Sequence, residues 1–187
     1  MKEIHLVTKN QHKIEEMQAI LKEFNIKVKA VKKELQEPDL GSLELIAEEK
    51  AKQAFQIVKK PVIVEDTGVY FSAYNNFPGT HAKRIFLGIK LNGLIALLKA
   101  AKNKEGFFKT VVCYYDGQNF TSFEGKLNGK FLIKARKPKA DRLPYEKLFI
   151  PNGSRKALVE LTKKEKNEIS HRAIATRKFG KWFKSFD

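Results

Sequence analysis

The sequence is poor in the features that mark secreted and membrane proteins. It contains a single cysteine, Cys113, which excludes an intrachain disulfide and fits a reducing compartment. No apolar run approaches the ~20 residues that a membrane-spanning helix needs. The N-terminal residues run straight into an apolar segment at Ile4, so we expect no signal peptide. These absences predict a cytoplasmic protein that does not enter a membrane.

Acidic residues are scarce relative to basic ones. The chain has 21 Asp and Glu against 37 Lys and Arg, a formal net charge of +16. Such an excess favours an anionic partner such as nucleic acid, a nucleotide or a membrane surface. The lysines are dispersed along the whole chain, however, so a basic surface that serves only solubility remains an alternative. The densest basic run, residues 134–142, is expected to be a loop that is solvated or contacts a polyanion.

Apolar patterning predicts alternating strands and helices within one domain covering residues 1–187, a length that can bury a substantial core. Strands are predicted at 4–7, 26–31, 62–64, 69–73, 107–115, 120–123 and 129–133. Helices are predicted at 11–24, 43–58, 80–87, 94–101 and 174–183, with Thr162 and Glu165 spaced as a capping box. Cys113 falls within an aromatic strand, where a buried structural thiol is expected.

Two adjacent carboxylates, Glu65 and Asp66, follow a short β-branched run and precede Thr67 and Gly68. Polar groups at the C-terminal end of a buried strand lie where open α/β sheets bind ligands. Neighbouring side chains on a strand point to opposite faces, so both carboxylates cannot be buried in one core. Either one faces a cleft or both lie just past the strand's end. A charged strand terminus without a chemical role is the alternative.

The N-terminal strand, loop and helix contain the parts of a phosphate site. Asn10 is placed to cap the helix, and Lys13 in its first turn adds a mobile cation to the positive end of the helix dipole. The glycines and terminal GK[ST] of a Walker loop are missing. An ordinary capped helix is the alternative. On the next helix, which Ser42 is placed to cap, Lys50 lies on or beside the apolar stripe and either reaches the surface or points into a cleft.

Five short motifs occur in an order that resembles the inosine triphosphate pyrophosphatase family. They are Thr8-x-Asn10-x-x-Lys13, Val-Glu-Asp-Thr-Gly at 64–68, Phe-Pro-Gly at 77–79, Glu-Lys-Asn at 165–167 and Ser-His-Arg at 170–172. The resemblance extends from Ile4 to about Phe183. It implies an α/β fold with an elongated mixed central sheet flanked by helices, and two lobes with a deep active-site cleft between them. It also implies a homodimer that hydrolyses non-standard purine nucleoside triphosphates (ITP, dITP, XTP) to monophosphate and pyrophosphate with Mg²⁺.

The resemblance also implies roles for individual residues. Asp66 matches the group that activates water, Lys13 and Lys50 match the other catalytic positions, and Glu37 and Asp66 match the metal-associated acids. His171 and Arg172 match the pair that recognises the base. The matched substrate-binding residues are Thr8, Lys9, Asn10, Gln11, His12, Lys13, Lys50, Thr67, Leu143, Pro144, Tyr145, Glu146, Lys166, His171 and Arg172. Glu65 is expected to be a supporting or structural acid.

The sequence departs from the family pattern in three places. Lys9 stands where many members have glycine, which is costly if that position needs a positive φ. Leu143 stands where an aromatic is usual, so a stacking surface is lost unless Tyr145 replaces it, and Glu146 stands where aspartate is usual. His81 with its neighbouring alanine replaces a common tyrosine-serine pair. Of the properties that the resemblance implies, the preferred base is therefore the least constrained.

Two other functions compete with this one. A septum-inhibitor-type pyrophosphatase shares the fold and metal chemistry but prefers other nucleotides, and the Ser-His-Arg motif argues against it. A basic nucleic-acid-binding descendant with weak catalysis would lose affinity steeply with salt. The joint presence of the acidic cluster, the phosphate loop and the Ser-His-Arg motif does not favour that second alternative.

Overall fold

The computed structural model of the protein describes residues 1–137 and 144–186, and within them it contains seven strands and five α-helices. The strands are β1 (Lys2–Val7), β2 (Ile26–Val31), β3 (Val62–Phe71), β4 (Phe77–Gly79), β5 (Glu105–Tyr115), β6 (Phe120–Phe131) and β7 (Phe149–Pro151). The helices are α1 (Gln11–Lys22), α2 (Leu43–Val58), α3 (Ala82–Ala100), α4 (Lys163–Ile169) and α5 (His171–Lys184). Among the described helices, none is long and apolar enough to cross a membrane.

The strands form one mixed sheet in the order β2-β1-β3-β5-β6-β7, with β4 paired to β3. β1 runs parallel to both neighbours, with Lys2 opposite Ile26 of β2 and His5 opposite Val62 of β3. Parallel neighbours need a crossover, which α1 and α2 supply. β4 and β7 pair antiparallel with β3 and β6. The predicted α/β class with a mixed sheet flanked by helices is confirmed.

The described residues fall into two compact units. Unit 1 comprises 1–67, 110–126 and the C-terminal segment from 169, and unit 2 comprises 68–109 and the described part of 127–168. In unit 1 the buried faces of α1 and α5 pack in one core with β1 and β2. The core of unit 2 is richer in aromatic rings, including Phe71, Phe108, Phe131 and Phe149. The single domain and the cleft between lobes stay predictions.

Two pairs of predicted strands are in fact single strands. The segments 62–64 and 69–73 are joined in β3, and 120–123 and 129–133 are joined in β6. The prediction that β3 ends before its two carboxylates is wrong, because both lie within the strand with cationic partners. The predicted helices 80–87 and 94–101 are likewise joined in α3, which is interrupted at Lys90 by a backbone of φ 55 and ψ −171.

The local start signals of the helices are confirmed. Asn10 Oδ1 accepts from the Lys13 amide at 3.2 Å, and Ser42 Oγ accepts from the Leu45 amide at 3.2 Å. The capping box is reciprocal, since Thr162 Oγ1 accepts from the Glu165 amide while Glu165 Oε2 accepts from the Thr162 amide. Short polar side chains thus satisfy N–H groups that the first turn of a helix leaves unpaired.

Cys113 is completely buried in β5, as predicted. Burial raises the pKa of its thiol to about 11, so the thiolate is scarce at neutral pH. Because the thiolate is the reactive form of cysteine, this residue serves packing.

Candidate functional site

β3 carries ionised side chains on both faces. Alternation along the strand places Asp66 on the face opposite Glu65 and Thr67. Each face meets a different set of charged residues in unit 1. We call the group formed by Asp66, Lys50 and Glu37 the open cluster. We call the group formed by Glu65, Lys13, Arg172, Glu16, Thr67 and Thr110 the closed cluster.

In the open cluster one ammonium group serves two carboxylates. Lys50 Nζ lies 3.0 Å from Asp66 Oδ2 and 3.5 Å from Glu37 Oε1. The Lys50 side chain is 8% exposed, that of Asp66 13% and that of Glu37 51%. Burial alone would lower the pKa of Lys50, but Asp66 and Glu37 outweigh it and the pKa is raised. Lys50 therefore stays charged, and the earlier alternative of a snorkelling side chain at the surface does not apply.

The open cluster has the donor chemistry of a Mg²⁺ site. Two carboxylates against one ammonium leave a formal charge of −1, and Glu37 is open to solvent. Mg²⁺ is usually held through one or two carboxylates, with phosphate oxygens and water completing an octahedron. Among residues 1–137 and 144–186, no group of three or more His, Cys, Asp or Glu side chains is placed to hold a metal. Glu37 and Asp66 thus fit an ion whose remaining ligands come from substrate and water.

The closed cluster is built on Glu65, whose side chain is completely buried. Lys13 Nζ lies 2.5 Å from Glu65 Oε2 and donates to the Glu65 carbonyl at 2.9 Å. Arg172 donates through Nε to Glu65 Oε1 at 3.2 Å and through Nη1 to Glu16 Oε2 at 2.5 Å. Burial alone would raise the pKa of Glu65, but Arg172 and Lys13 outweigh it and hold the pKa well below 4.5. The carboxylate is therefore ionised and accepts hydrogen bonds only.

Two hydroxyl groups complete this cluster. Thr67 Oγ1 lies 2.5 Å from Glu65 Oε1 and 2.5 Å from Thr110 Oγ1. Thr110 Oγ1 is also 3.2 Å from Glu65 Oε1. Thr110 is completely buried, whereas Thr67 is only half-buried. Glu65 thus collects donors from α1, α5, β3 and β5.

A glycine lets the first turn of α5 reach the closed cluster. Gly125 lies in β6 where a Cβ atom would collide with the His171 carbonyl oxygen and lie 2.6 Å from the Ala175 amide. A glycine inside a strand often marks such a close backbone approach. Ser170 then caps α5 by accepting from the Ala173 amide at 3.1 Å. His171 and Arg172, the pair that the resemblance assigns to recognition of the base, are both buried.

The predicted phosphate loop lies at the N-terminal end of α1. Thr8 Oγ1 accepts from the Asn10 amide at 3.2 Å, and Gln11 and His12 are exposed on the first turn. Lys9 is exposed and pairs with Glu34 at 2.8 Å. The φ angle of Lys9 is not among the positive ones found in the described residues. Lysine in place of glycine therefore causes no backbone strain here.

The remaining predicted residues belong to unit 2, except that Leu143 lies outside the described residues. Pro144 begins a short 3-10 helix (Pro144–Leu148) that also carries Tyr145 and Glu146. Lys166 Nζ donates to Glu146 Oε1 at 2.6 Å, and both side chains are buried. Tyr145 is 5% exposed, and its hydroxyl donates to the Ala82 carbonyl at 2.8 Å. A stacking role for Tyr145 would require this ring to leave the core.

Sequence reasoning missed two members of the closed cluster and undervalued a third. Glu16 lies one turn after Lys13 on α1, a spacing that places their side chains on one face and could have identified it. Thr110 lies within a β-branched strand and gives no comparable signal. Glu65 was expected to be a supporting or structural acid, but with no named partners, and it is the group on which the cluster converges.

Comparisons with known proteins agree with these features. Residues 4–182 match the family model described as the Ham1 family. A dITP/XTP pyrophosphatase of Hyperthermus butylicus is 34% identical over 184 residues, which cover 98% of this chain and 95% of the relative. An inosine triphosphate pyrophosphatase of Fusarium vanettenii is 34% identical over 183 residues, covering 97% and 96%.

A solved structure shows the same fold. The HAM1 protein from Coxiella burnetii has a TM-score of 0.84 to this chain, covers 98% of both chains and is 23% identical. At that identity the likeness concerns the fold alone. The family model, by contrast, matches nearly the whole sequence, and the resemblance found in the five motifs is confirmed. The chain belongs to the Ham1 family.

Proposed function

We propose that the protein is a Mg²⁺-dependent pyrophosphatase of non-standard purine nucleoside triphosphates, releasing monophosphate and pyrophosphate from dITP, ITP and XTP. Relatives that match almost the full length carry the names dITP/XTP pyrophosphatase and inosine triphosphate pyrophosphatase. One observation carries the proposal in the structure. Asp66 on β3 pairs with Lys50, which also pairs with Glu37. The residue before it, Glu65, binds Lys13 of the phosphate loop.

Asp66 is the group that orients and deprotonates water. Its Oδ2 accepts from Lys50, and we assign the water to Oδ1. The water oxygen bonds to phosphorus while the α–β bridging bond breaks, so the electron pair leaves on pyrophosphate and the proton passes to Asp66. Lys13 and Lys50 neutralise charge on the phosphate oxygens. When bound by Glu37 and Asp66, Mg²⁺ would further neutralise the triphosphate and polarise its oxygens.

The N-terminal end of α1 binds the triphosphate. Thr8 and Asn10 fix the turn that leads into the helix, and their contacts leave the following amides directed at the anion. Lys13 supplies a charge at the same end. Exposed Lys9 adds another cation near the bound phosphates.

Buried donors recognise the base. His171 and Arg172, both buried in unit 1, are the groups we assign to the purine. Hypoxanthine and xanthine carry an oxygen at position 6 where adenine carries an amino group. Donors directed at that position pair with the oxygen and face another donor in adenine, and such a mismatch is strongly discriminating.

A nucleotide panel tests the function. Pyrophosphate release is measured from dITP, ITP, XTP, GTP, ATP and pyrimidine triphosphates, with Mg²⁺ and with excess chelator. We expect kcat/KM for ITP and XTP to exceed that for ATP by at least ~10²-fold, and no turnover in chelator. Preference for pyrimidine triphosphates would instead indicate the septum-inhibitor type. Absence of turnover combined with salt-sensitive RNA binding would indicate the nucleic-acid-binding alternative.

The proposal includes a homodimer. Light scattering across a dilution series measures the mass in solution, and we expect about twice the mass of one chain. A constant single-chain mass would remove this part of the proposal without affecting the catalytic part.

A further inference from the structure

Three oxygen atoms in the closed cluster lie within hydrogen-bond reach of one another. They are Oε1 of Glu65 and the two hydroxyl oxygens of Thr67 and Thr110. Each hydroxyl has one proton to donate, and the Glu65 carboxylate, which is paired with both Lys13 and Arg172, acts as an acceptor. The protons of Thr67 and Thr110 must therefore be shared among three acceptor oxygens.

The distances indicate how the protons are shared without substrate. Thr67 Oγ1 is the closer hydroxyl to Glu65 Oε1, at 2.5 Å against 3.2 Å for Thr110. The shorter distance assigns the hydrogen bond to the carboxylate to Thr67, and we take Thr110 as the donor across the 2.5 Å separation of the two hydroxyls, where either oxygen could donate. In this arrangement the proton of Thr67 is already used, so the half-buried hydroxyl cannot donate to a ligand.

We propose that Thr110 is a positioning residue that takes over the hydrogen bond to Glu65 when Thr67 turns its proton to a phosphate oxygen of the substrate. Thr110 already lies 3.2 Å from the same carboxylate oxygen. Rotation of its hydroxyl hydrogen is therefore enough for the exchange. Thr110 is itself completely buried, so it acts through Glu65 and Thr67. The proposal rests on the proposed nucleoside-triphosphate pyrophosphatase function.

The exchange predicts a specific defect when the Thr110 hydroxyl is removed. Without it, Thr67 can bind substrate only by withdrawing its hydrogen bond from Glu65 Oε1, which keeps the Arg172 Nε donor but gains no hydroxyl in place of Thr67. Hydrogen bonds to charged groups are strong and their loss in a buried site is costly. Removing the Thr110 hydroxyl should therefore weaken substrate binding, and it should do so only when the Thr67 hydroxyl is present.

A double-mutant cycle tests this dependence. ITP hydrolysis is measured for wild type, Thr110→Val, Thr67→Ala and the double variant, with Thr110→Ser as the rescue. We expect Thr110→Val to raise KM about tenfold with a smaller change in kcat, and Thr110→Ser to restore KM. In the Thr67→Ala background, Thr110→Val should change KM by less than about twofold.

Thr176→Val is the matched control, because Thr176 is an equally buried threonine of unit 1 outside the cluster. It should leave KM unchanged. Equal KM increases from Thr110→Val in both backgrounds, or failure of Thr110→Ser to restore KM, would overturn the exchange. If Thr110→Val does not fold by thermal unfolding, Thr110→Ala provides the same comparison without an added methyl group. Wild-type inactivity on every triphosphate would instead refute the proposed function.

Discussion

The two charge clusters on β3 differ in how completely their charges are matched. In the closed cluster Glu65 and Glu16 face Lys13 and Arg172, two charges of each sign, and every side chain is at most 16% exposed. The open cluster has two carboxylates for one ammonium, and half of the Glu37 side chain is exposed. Alternation along one strand thus places a balanced group beside an unbalanced one.

This difference separates positioning from chemistry. A buried, balanced network holds its members in one arrangement, but removing one partner leaves an uncompensated charge in the interior. An unbalanced cluster that opens to solvent through Glu37 keeps capacity for a cation and a water. The closed cluster therefore orients Lys13, Arg172 and Thr67, while the open cluster is where we place bond cleavage.

The largest expected effect is on turnover when Asp66 is changed to asparagine. The substitution removes the base and one carboxylate of the open cluster, so kcat for ITP should fall by ~10³-fold or more. Thermal unfolding should change little, because Lys50 retains Glu37. Glu49→Gln is the control, since Glu49 lies on α2 in an exposed pair with Lys52. Normal turnover by the Asp66→Asn enzyme would remove Asp66 as the base.

Replacing the closed cluster's carboxylate should act mainly on stability. Glu65→Gln leaves Lys13 and Arg172 short of a buried counter-ion, and we expect the free energy of unfolding in urea to fall by about 3 kcal/mol. Glu23→Gln is the matched control, because Glu23, directly after α1, also pairs with an arginine of α5, Arg177, but is half exposed. The Glu23→Gln change should lower the free energy of unfolding by less than about 1 kcal/mol. Similar losses from both variants would contradict the contrast between buried and exposed pairs.

The pH dependence of the free energy of unfolding tests whether the pKa of Glu65 is depressed in the folded protein. The folded pKa of Glu65 is depressed below 4.5, so its contribution to stability is complete above pH 4.5 and is lost as pH falls towards the folded value. In that window the unfolded state binds one more proton, a slope of about 1.4 kcal/mol per pH unit. The difference in free energy of unfolding between wild type and Glu65→Gln should therefore narrow below pH 4.5. A constant difference down to about pH 3 would show that the pKa of Glu65 is not depressed in the folded protein.

The smallest effect is expected at Lys9, which belongs to neither cluster. Its pair with Glu34 is exposed on both sides, and its φ angle needs no glycine. Lys9→Gly should change the free energy of unfolding by at most about 1 kcal/mol. The KM for ITP should stay within about threefold, since nearby Lys13 still supplies the main cation. A gain in stability above that range would indicate backbone strain that the structure does not show.

Local features of the fold were predictable because their causes lie within a few residues. Asn10, Ser42 and the Thr162 capping box act on amides three positions away. Each start signal could therefore be read without knowledge of the rest of the chain. The strand and helix periodicities are likewise local properties.

The closed cluster was not predictable in this way. Its hydrogen bonds join residues separated by 45 positions for Thr110 and 107 for Arg172. The same contacts explain why the predicted end of β3 was wrong. Two adjacent carboxylates terminate a strand only if they need solvent, and here distant cations meet each of them inside the sheet. In the open cluster, the strand and helix patterns made Asp66 and Lys50 candidates, whereas Glu37 was indicated only through the family resemblance.

The convergence on Glu65 also constrains how this protein can change over generations. One carboxylate serves Lys13, Thr67, Thr110 and Arg172, so the effect of a substitution at any of these positions depends on the residues at the others. A single substitution at one of these positions leaves a buried charge or hydroxyl without its partner. Viable divergence at this site therefore requires compensating mutations in concert, whereas the dispersed surface lysines are open to independent replacement.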